Sequence, residues 1–451
     1  MNTIIVDFSK STGNIKPLNG VCCAPYSLNM GNKQKVISEM FKSANIPYCR
    51  LHDCCGAWGG CYFVDVPNVF PDFEADENNP ENYDFHYTDE YIKAIQDAGT
   101  QTYYRLGVTI EWGSKKYASL IPKDFEKWAR ICEHIIAHYN EGWADGFEYN
   151  LKYWEIWNEP ENPGNANGKC MWSGSKEDFF KLYKITSKHL KSKFPQIKIG
   201  GYGGCGFYEL TRTDIPEEWK DFIPYFIDFL KMVKKEDCPL DFYSWHIYTE
   251  DEKELFTHAK YVRETLDEYG FKETESHLNE WNIGLEGESF AKKHTMEGGS
   301  FLAAVMCGLQ RLKYVDKAMY YCFSYDSTYN GFLDQNNHSI SPAWYPFKAF
   351  GELYALKGAV ETKCEGNIYA QGATDGQNNL LMISNYNSDE VKTEIDLKGF
   401  NEKNRIDVFY CADGKDFEKE FSFEIVEETK MEIKIPMHSV VLLRGKNECT
   451  A

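Results

Sequence analysis

The 451 residues contain no apolar run long enough to span a bilayer. The opening stretch, Met1-Asn-Thr-Ile-Ile-Val-Asp-Phe-Ser-Lys10, lacks the basic-then-apolar order of a secretory leader. These absences set the expectation of a cytoplasmic chain with no membrane partner. Positive charge is also scarce. Lys and Arg number 49 against 69 Asp and Glu, a net charge of −20. Nucleic acid and anionic lipid surfaces are recognised by basic patches, so neither is an expected partner. No internal repeat recurs and no segment is of low complexity, which argues against solenoids and disordered tails.

Cysteine is plentiful but not arranged. The 15 cysteines are odd in number and scattered, as expected of reduced thiols in a long intracellular chain. Cys49, Cys54, Cys55 and Cys61 surround His52 and Asp53, yet no CxxC pair and no second half-site accompany them. No metal site is therefore expected there.

What is present is an alternation of short β-rich runs with amphipathic helical segments. The strand-like runs fall at 20–26, 47–53, 100–108, 151–158, 197–203, 241–248, 276–281 and 317–323. Helical periodicity fills 33–45, 87–98, 123–139, 176–192, 224–235, 252–269 and 291–312. Eight strands alternating with helices predict an α/β fold, a (β/α)8 TIM barrel. An open doubly wound sheet is the rival, and the absence of a GxGxxG turn after the first strand weighs against it. Residues 54–83 form a long Pro-, Asn- and Asp-rich connection, expected to shape a pocket above the second strand.

After about residue 356 the texture changes to short alternating strands at 379–385, 391–397, 405–410, 421–426 and 439–444, with turns at Asp375-Gly and Asp413-Gly. An accessory antiparallel β-sandwich over 356–451 follows from that pattern. A strand within residues 1–17 is expected to join it, leaving 18–355 for the barrel.

Two strand ends carry the chemistry. Tyr153-Trp-Glu-Ile-Trp-Asn-Glu-Pro160 is a buried strand that Pro160 stops, with Glu159 at its end. Ser276-His-Leu-Asn-Glu-Trp-Asn282 is a second such strand, with Glu280. Barrel enzymes gather catalytic groups at the C-terminal ends of strands. Two glutamates on the fourth and seventh strands match the two-carboxylate machinery of glycoside hydrolysis. Asn158 is placed to bond a sugar 2-hydroxyl. Arg50, an arginine between apolar strand residues, needs a buried partner and would serve the Glu280 carboxylate. Trp112 and Trp281 are candidate stacking faces for a sugar ring, or core aromatics.

These stretches, together with Leu18-Asn-Gly-Val21, Arg50-Leu-His-Asp53, Tyr83-Asp-Phe-His-Tyr-Thr-Asp89 and Ser244-Trp-His-Ile-Tyr248, resemble clan A glycoside hydrolases. Among these the chain is most similar to glycoside hydrolase family 39, the family of β-xylosidases and α-L-iduronidases. The resemblance covers about residues 18–350 and implies Glu159 as acid/base and Glu280 as nucleophile. It implies that His246 and Tyr248 orient the nucleophile and contact sugar hydroxyls, and it adds His52 and Asp53 to the pocket. The family often has His-Gly where this chain has His52-Asp53, which bears on the sugar more than on the mechanism. The expected activity is retaining exo-hydrolysis of terminal pyranosides from oligosaccharides, β-xylosidase-like, with no metal or organic cofactor. In the resting state two close carboxylates would drive the Glu159 pKa up. Another pyranoside (arabinopyranoside, glucoside, galactoside or uronide), an endo-acting cleft and a non-catalytic glycan-binding barrel are the alternatives. The sequence leaves a homo-oligomer open.

Overall fold

The computed structural model describes residues 2–23, 25, 32–54, 62–285, 287–324, 327–334, 339–400, 405–412, 416–425 and 429–446. The expected strand end at 26, the connection at 55–61 with Cys55 and Cys61, the turn at Asp413 and the strand end at 426 lie outside these residues.

A first strand, β1 (Asn2–Asn14), precedes eight parallel strands that close into a barrel. These are β2 (Gly20–Cys22), β3 (Tyr48–Leu51), β4 (Gln101–Leu106), β5 (Tyr153–Ile156), β6 (Lys198–Gly204), β7 (Phe242–Tyr248), β8 (Glu275–Asn282) and β9 (Lys317–Tyr320). Each lies within two residues of a predicted start, and most end earlier than expected. The expected (β/α)8 barrel is the observed architecture.

Helices between the strands start where side chains satisfy their free amides. Asp124 accepts from the Lys127 amide to open Phe125–Asn140, and Ser175 with Asp178 forms a capping box for Lys176–Lys193. The helix Met296–Arg311 is buried almost all round. Its small residues allow close approach, as at Gly308, where an added Cβ would meet the Phe256 ring at 2.2 Å.

The reason for that burial is the second domain. Strands β10 (Gly358–Glu365), β11 (Tyr369–Thr374), β12 (Asn378–Asn385), β13 (Val391–Lys398), β14 (Arg405–Cys411), β15 (Glu418–Glu424), β16 (Thr429–Ile435) and β17 (Ser439–Lys446) join β1 in one sheet. Its order is β15-β14-β17-β12-β11-β10-β1-β13-β16. The sheet folds back on itself into a sandwich. Although β14 and β16 lie near its opposite ends, the Tyr410 hydroxyl donates to the Lys434 carbonyl at 3.0 Å. Alternation gives the sheet two apolar faces. Leu381, Ile383, Val441 and Leu443 line the sandwich core, while Leu380, Met382, Val440 and Leu442 belong to the barrel's cluster. The helices Met296–Arg311 and Trp344–Leu356 lie between the two. One feature departs from the all-antiparallel expectation: β1 pairs with β13 in parallel, and with β10 antiparallel.

Candidate active site

Inside the barrel β7 alternates inward- and outward-facing residues. On β7, Phe242, Ser244, His246 and Tyr248 point inward, and Tyr243, Trp245 and Ile247 pack on the helices. A polar residue at every second position is thus a deliberate interior lining.

Arg50, on β3, is fully buried and holds the arrangement together. Its Nε donates to Glu155 at 2.8 Å, one Nη to Glu280 at 3.1 Å and the other to Asn158 at 2.5 Å. Glu155 also accepts from Ser244 Oγ at 2.5 Å and Asn279 Nδ2 at 2.6 Å. A guanidinium and a carboxylate can share such a site only when their hydrogen bonds are met, and here they are.

The Glu280 side chain reaches this network through a bulge. The β7–β8 register slips between Trp245 opposite Leu278 and His246 opposite Glu280. Asn279 and Glu280 therefore both face inward, and the following residue is forced outward. This explains Trp281, which is fully buried against Phe301 and Tyr320 and does not line the cavity. The expectation of a sugar-stacking face at Trp281 is corrected accordingly. Trp112, 48% exposed, does line the cavity.

Glu159 is placed by a backbone that leaves strand geometry beyond β5. Trp157 (φ +75) and Glu159 (φ +41) both occupy the left-handed region, where non-glycine residues are strained. The turn is held by the Trp157 indole, which donates to the Met171 carbonyl at 2.8 Å, and by the Glu159 amide, which donates to the Tyr202 carbonyl at 3.0 Å. Beneath it, Gly203 (φ +58) admits no side chain: a Cβ would lie 3.0–3.1 Å from Arg50, Asn158 and His246.

The two carboxyl groups meet at a cavity of about 420 Å³. Glu159, His246 and Glu280 each offer an atom within 4.8 Å of the others. Such a trio can grip a metal ion, but Arg50 beside Glu280 already supplies a permanent positive charge, and an imidazole between carboxyls equally suits proton transfer. His246 Nδ1 lies 2.7 Å from Glu159 and 3.6 Å from Glu280. It is therefore chiefly the partner of Glu159, where the sequence placed it beside the nucleophile. Asn162 Nδ2 donates to the other Glu159 oxygen at 2.7 Å, and the Tyr248 hydroxyl donates to Glu280.

These contacts set the protonation. Burial pushes Glu159 up, but the hydrogen bond and charge of His246 outweigh it and hold its carboxyl below the ordinary range. Burial raises Glu280, and the Glu159 charge adds to this against the pull of His246 and Arg50. The expected rise at Glu159 is thus found at Glu280. The physical reason is the position of His246, whose Nδ1 lies 2.7 Å from Glu159 and 3.6 Å from Glu280.

His52 and Asp53 also line the cavity. The Asp53 carboxylate accepts from the Tyr321 hydroxyl at 2.9 Å and the Ile110 amide at 3.3 Å. Tyr208, Trp219, Phe222, Leu285 and Tyr329 complete the wall, and none was singled out from sequence. Glu155 carried a readable signal, a charge within an apolar strand. The described part of the 54–83 connection does not line the cavity. It acts from behind, through Asp65, which accepts from Arg105 at 2.7 Å and from the Thr109 amide at 2.7 Å. Among the described residues no two cysteines are joined to each other, and Cys49 and Cys54 are buried. A further cavity of about 460 Å³ by Glu352, Arg444 and Phe409 brings no such pair of carboxyls together.

A closed barrel that brings a carboxyl beyond its fourth strand and one on its seventh into a single cavity, the second held by a buried arginine, is an architecture of sugar-processing folds. The chain belongs to glycosyl hydrolases family 39, whose model matches residues 34–343. It is 24% identical to a beta-xylosidase of Geobacillus stearothermophilus over 289 residues, 58% of this chain and 52% of that protein. The chain thus spans about half the length of that relative. Among solved structures, a glucosidase from Croceicoccus marinus superposes with a TM-score of 0.79 at 21% identity, over 99% of each chain. A monomeric beta-xylosidase from Caulobacter crescentus gives 0.74 at 15% identity, over 99% of this chain and 100% of that one. No helix among the described residues is long and apolar enough to cross a membrane.

Proposed function

We propose that the chain is a retaining exo-glycoside hydrolase that releases a terminal pyranose, in the manner of a β-xylosidase, from oligosaccharides. The observation that carries this reading is the short separation of Glu159 and Glu280, with atoms within 4.8 Å. Retaining enzymes hold their carboxyls about 5–5.5 Å apart, whereas inverting ones leave about 6.5–9.5 Å for a water.

Glu280 attacks the anomeric carbon. Arg50 and Tyr248 stabilise its charge, one at each carboxylate oxygen. The Glu159–His246 pair passes its proton to the departing oxygen. A covalent glycosyl-enzyme results. Glu159 then takes a proton from a water that attacks the anomeric carbon from the face the leaving group vacated and displaces the Glu280 carboxylate, so two inversions give retention. Asn158, oriented by Arg50, is placed for the sugar 2-hydroxyl. Trp112 offers a flat apolar face at the rim. The proportions of the cavity, enclosed by Tyr208, Trp219, Phe222 and Tyr329, suit one ring and favour exo action.

A β-glucoside is the second reading, favoured by the likeness to a glucosidase along the whole chain. The test is nitrophenol release from β-D-xyloside, α-L-arabinopyranoside, β-D-glucoside, β-D-galactoside and α-L-iduronide, with Glu280→Ala as the blank. Turnover should occur on one or two members, give product of retained configuration by NMR, and fall at least ~10⁴-fold in the variant. Full activity of Glu280→Ala would refute the site assignment. Glycan binding with no turnover of any glycoside would favour a binding barrel.

A further inference from the structure

Asp53 occupies the left-handed region (φ +48), a conformation that glycine adopts freely and aspartate at some cost. Strain of this kind persists where the surroundings fix it. Here Tyr321 and the Ile110 amide each hold one carboxylate oxygen, and His52 Nε2 lies 3.5 Å away. The strained backbone thus delivers a carboxylate to the wall of the cavity that also holds Glu159 and Glu280.

The charge balance of that wall is one-sided. Among the described lining residues there are three carboxyl groups and no lysine or arginine. Arg50 is fully buried and spends its donors on Glu155, Glu280 and Asn158. Arg105 is fully buried too and pairs with Asp65. His52 is kept neutral, since burial and the charges of Arg50 and Arg105 push its imidazole well below the ordinary range. Among the described lining residues, a sugar carboxylate entering here meets only His246, which Glu159 already engages at 2.7 Å. A carboxylate that accepts at about four positions is, in contrast, well suited to adjacent sugar hydroxyls.

We propose that Asp53 is a specificity-determining residue: it accepts hydroxyls of a neutral sugar ring and repels a uronate. The proposal rests on the reading of this cavity as a glycosidase site. It excludes the iduronide and glucuronide side of the substrate range by charge, not by size.

Calorimetric binding of three iminosugars tests it without turnover: 1-deoxynojirimycin, its analogue with a carboxylate at C6, and the xylose-configured analogue lacking C6. The wild-type protein should bind at least one neutral compound ~100-fold more tightly than the carboxylate. Asp53→Asn and Asp53→Gly should each weaken the neutral compound ~10-fold and narrow the gap to under ~10-fold. Asp53→Gly also relieves the backbone, so misfolding would not mimic this result. Equal binding of neutral and acidic compounds overturns the role of Asp53 alone, as does an unchanged gap in both variants. Binding of the C6-lacking compound only would show exclusion by size and overturn the charge argument. If none of the three binds while the panel of aryl glycosides is turned over, the xyloside and glucoside readings fall and take the proposal with them; if neither occurs, the glycosidase reading itself falls.

Discussion

Glu275 and Glu280 sit on the same strand, five residues apart, and both face the barrel interior. Their surroundings make them opposites. Glu275, at the floor, is ringed by two lysines and a histidine: Lys317 at 2.7 Å, His277 at 2.9 Å and Lys198. Burial raises its carboxyl, but the His277 bond and the lysine charges overwhelm that and hold it far below the ordinary range. Glu280, at the mouth, shares one guanidinium with Glu155 and looks across at Glu159. Its carboxyl is raised. Arg50 and Glu155 already cancel, so the charge on Glu280 is surplus. The floor uses carboxylate chemistry to lock the barrel, and the mouth keeps a carboxylate under tension for reaction.

The contrast can be broken most forcefully at the floor. Glu275→Gln strands two lysines and should cost about 2–4 kcal/mol, a discount on the roughly 3–5 kcal/mol of a fully buried pair because the group is partly exposed. The sign with pH follows from the depressed folded value. The contribution of Glu275 is complete above the unfolded carboxylate range near 4.5 and fades as pH falls below it. Urea unfolding should thus show wild type and variant converging in acid. Next in size is Gly203→Ala, which forces a Cβ toward Arg50, Asn158 and His246 at a positive φ. A displacement of that order should lower kcat/KM about 100-fold with secondary structure preserved by circular dichroism. At the mouth the stability effect reverses. Glu280→Gln should leave the protein as stable as wild type or stabilise it by about 1 kcal/mol while abolishing turnover. Because the folded value is raised, wild-type stability declines as pH rises from about 4.5 through that value, and the gain in the variant grows over the same window. A Glu280→Gln protein that melts earlier than wild type at neutral pH would show that the mouth is built like the floor. The smallest effect is expected from Trp112→Ala, a few-fold increase in KM with kcat nearly unchanged, since this half-exposed ring lies at the rim.

Periodicity made the barrel legible, because every strand is buried on one side by helices and lined on the other by alternate polar residues. The motifs around Glu159 and Glu280, and the arginine in an apolar run at Arg50, led to residues that the structure places together. Three strands of the second domain escaped notice. β10 and β11 are poor in bulky apolar residues and owe their strand form to pairing with neighbours. β16 alternates Met431, Ile433 and Ile435, and that signal was readable. The helix Trp344–Leu356 is apolar on all sides because it is enclosed between barrel and sheet, so no amphipathic stripe marks it. Trp281 is turned outward because a bulge shifts the inward-facing set of β8 by one residue, and nothing in a period-two pattern announces it.

The parallel pairing of β1 with β13 has a consequence for biogenesis. β1 leaves the ribosome ahead of the barrel, yet its two neighbours, β10 and β13, are encoded more than three hundred residues later. At elongation rates of about 5–20 residues per second, that strand waits roughly 20–80 s with both edges unpaired while the barrel is still being assembled. Nascent chains stalled short of residue 391 should therefore hold β1 accessible to chaperones and proteases, and the sheet that emerges after the barrel is completed by a strand made before it.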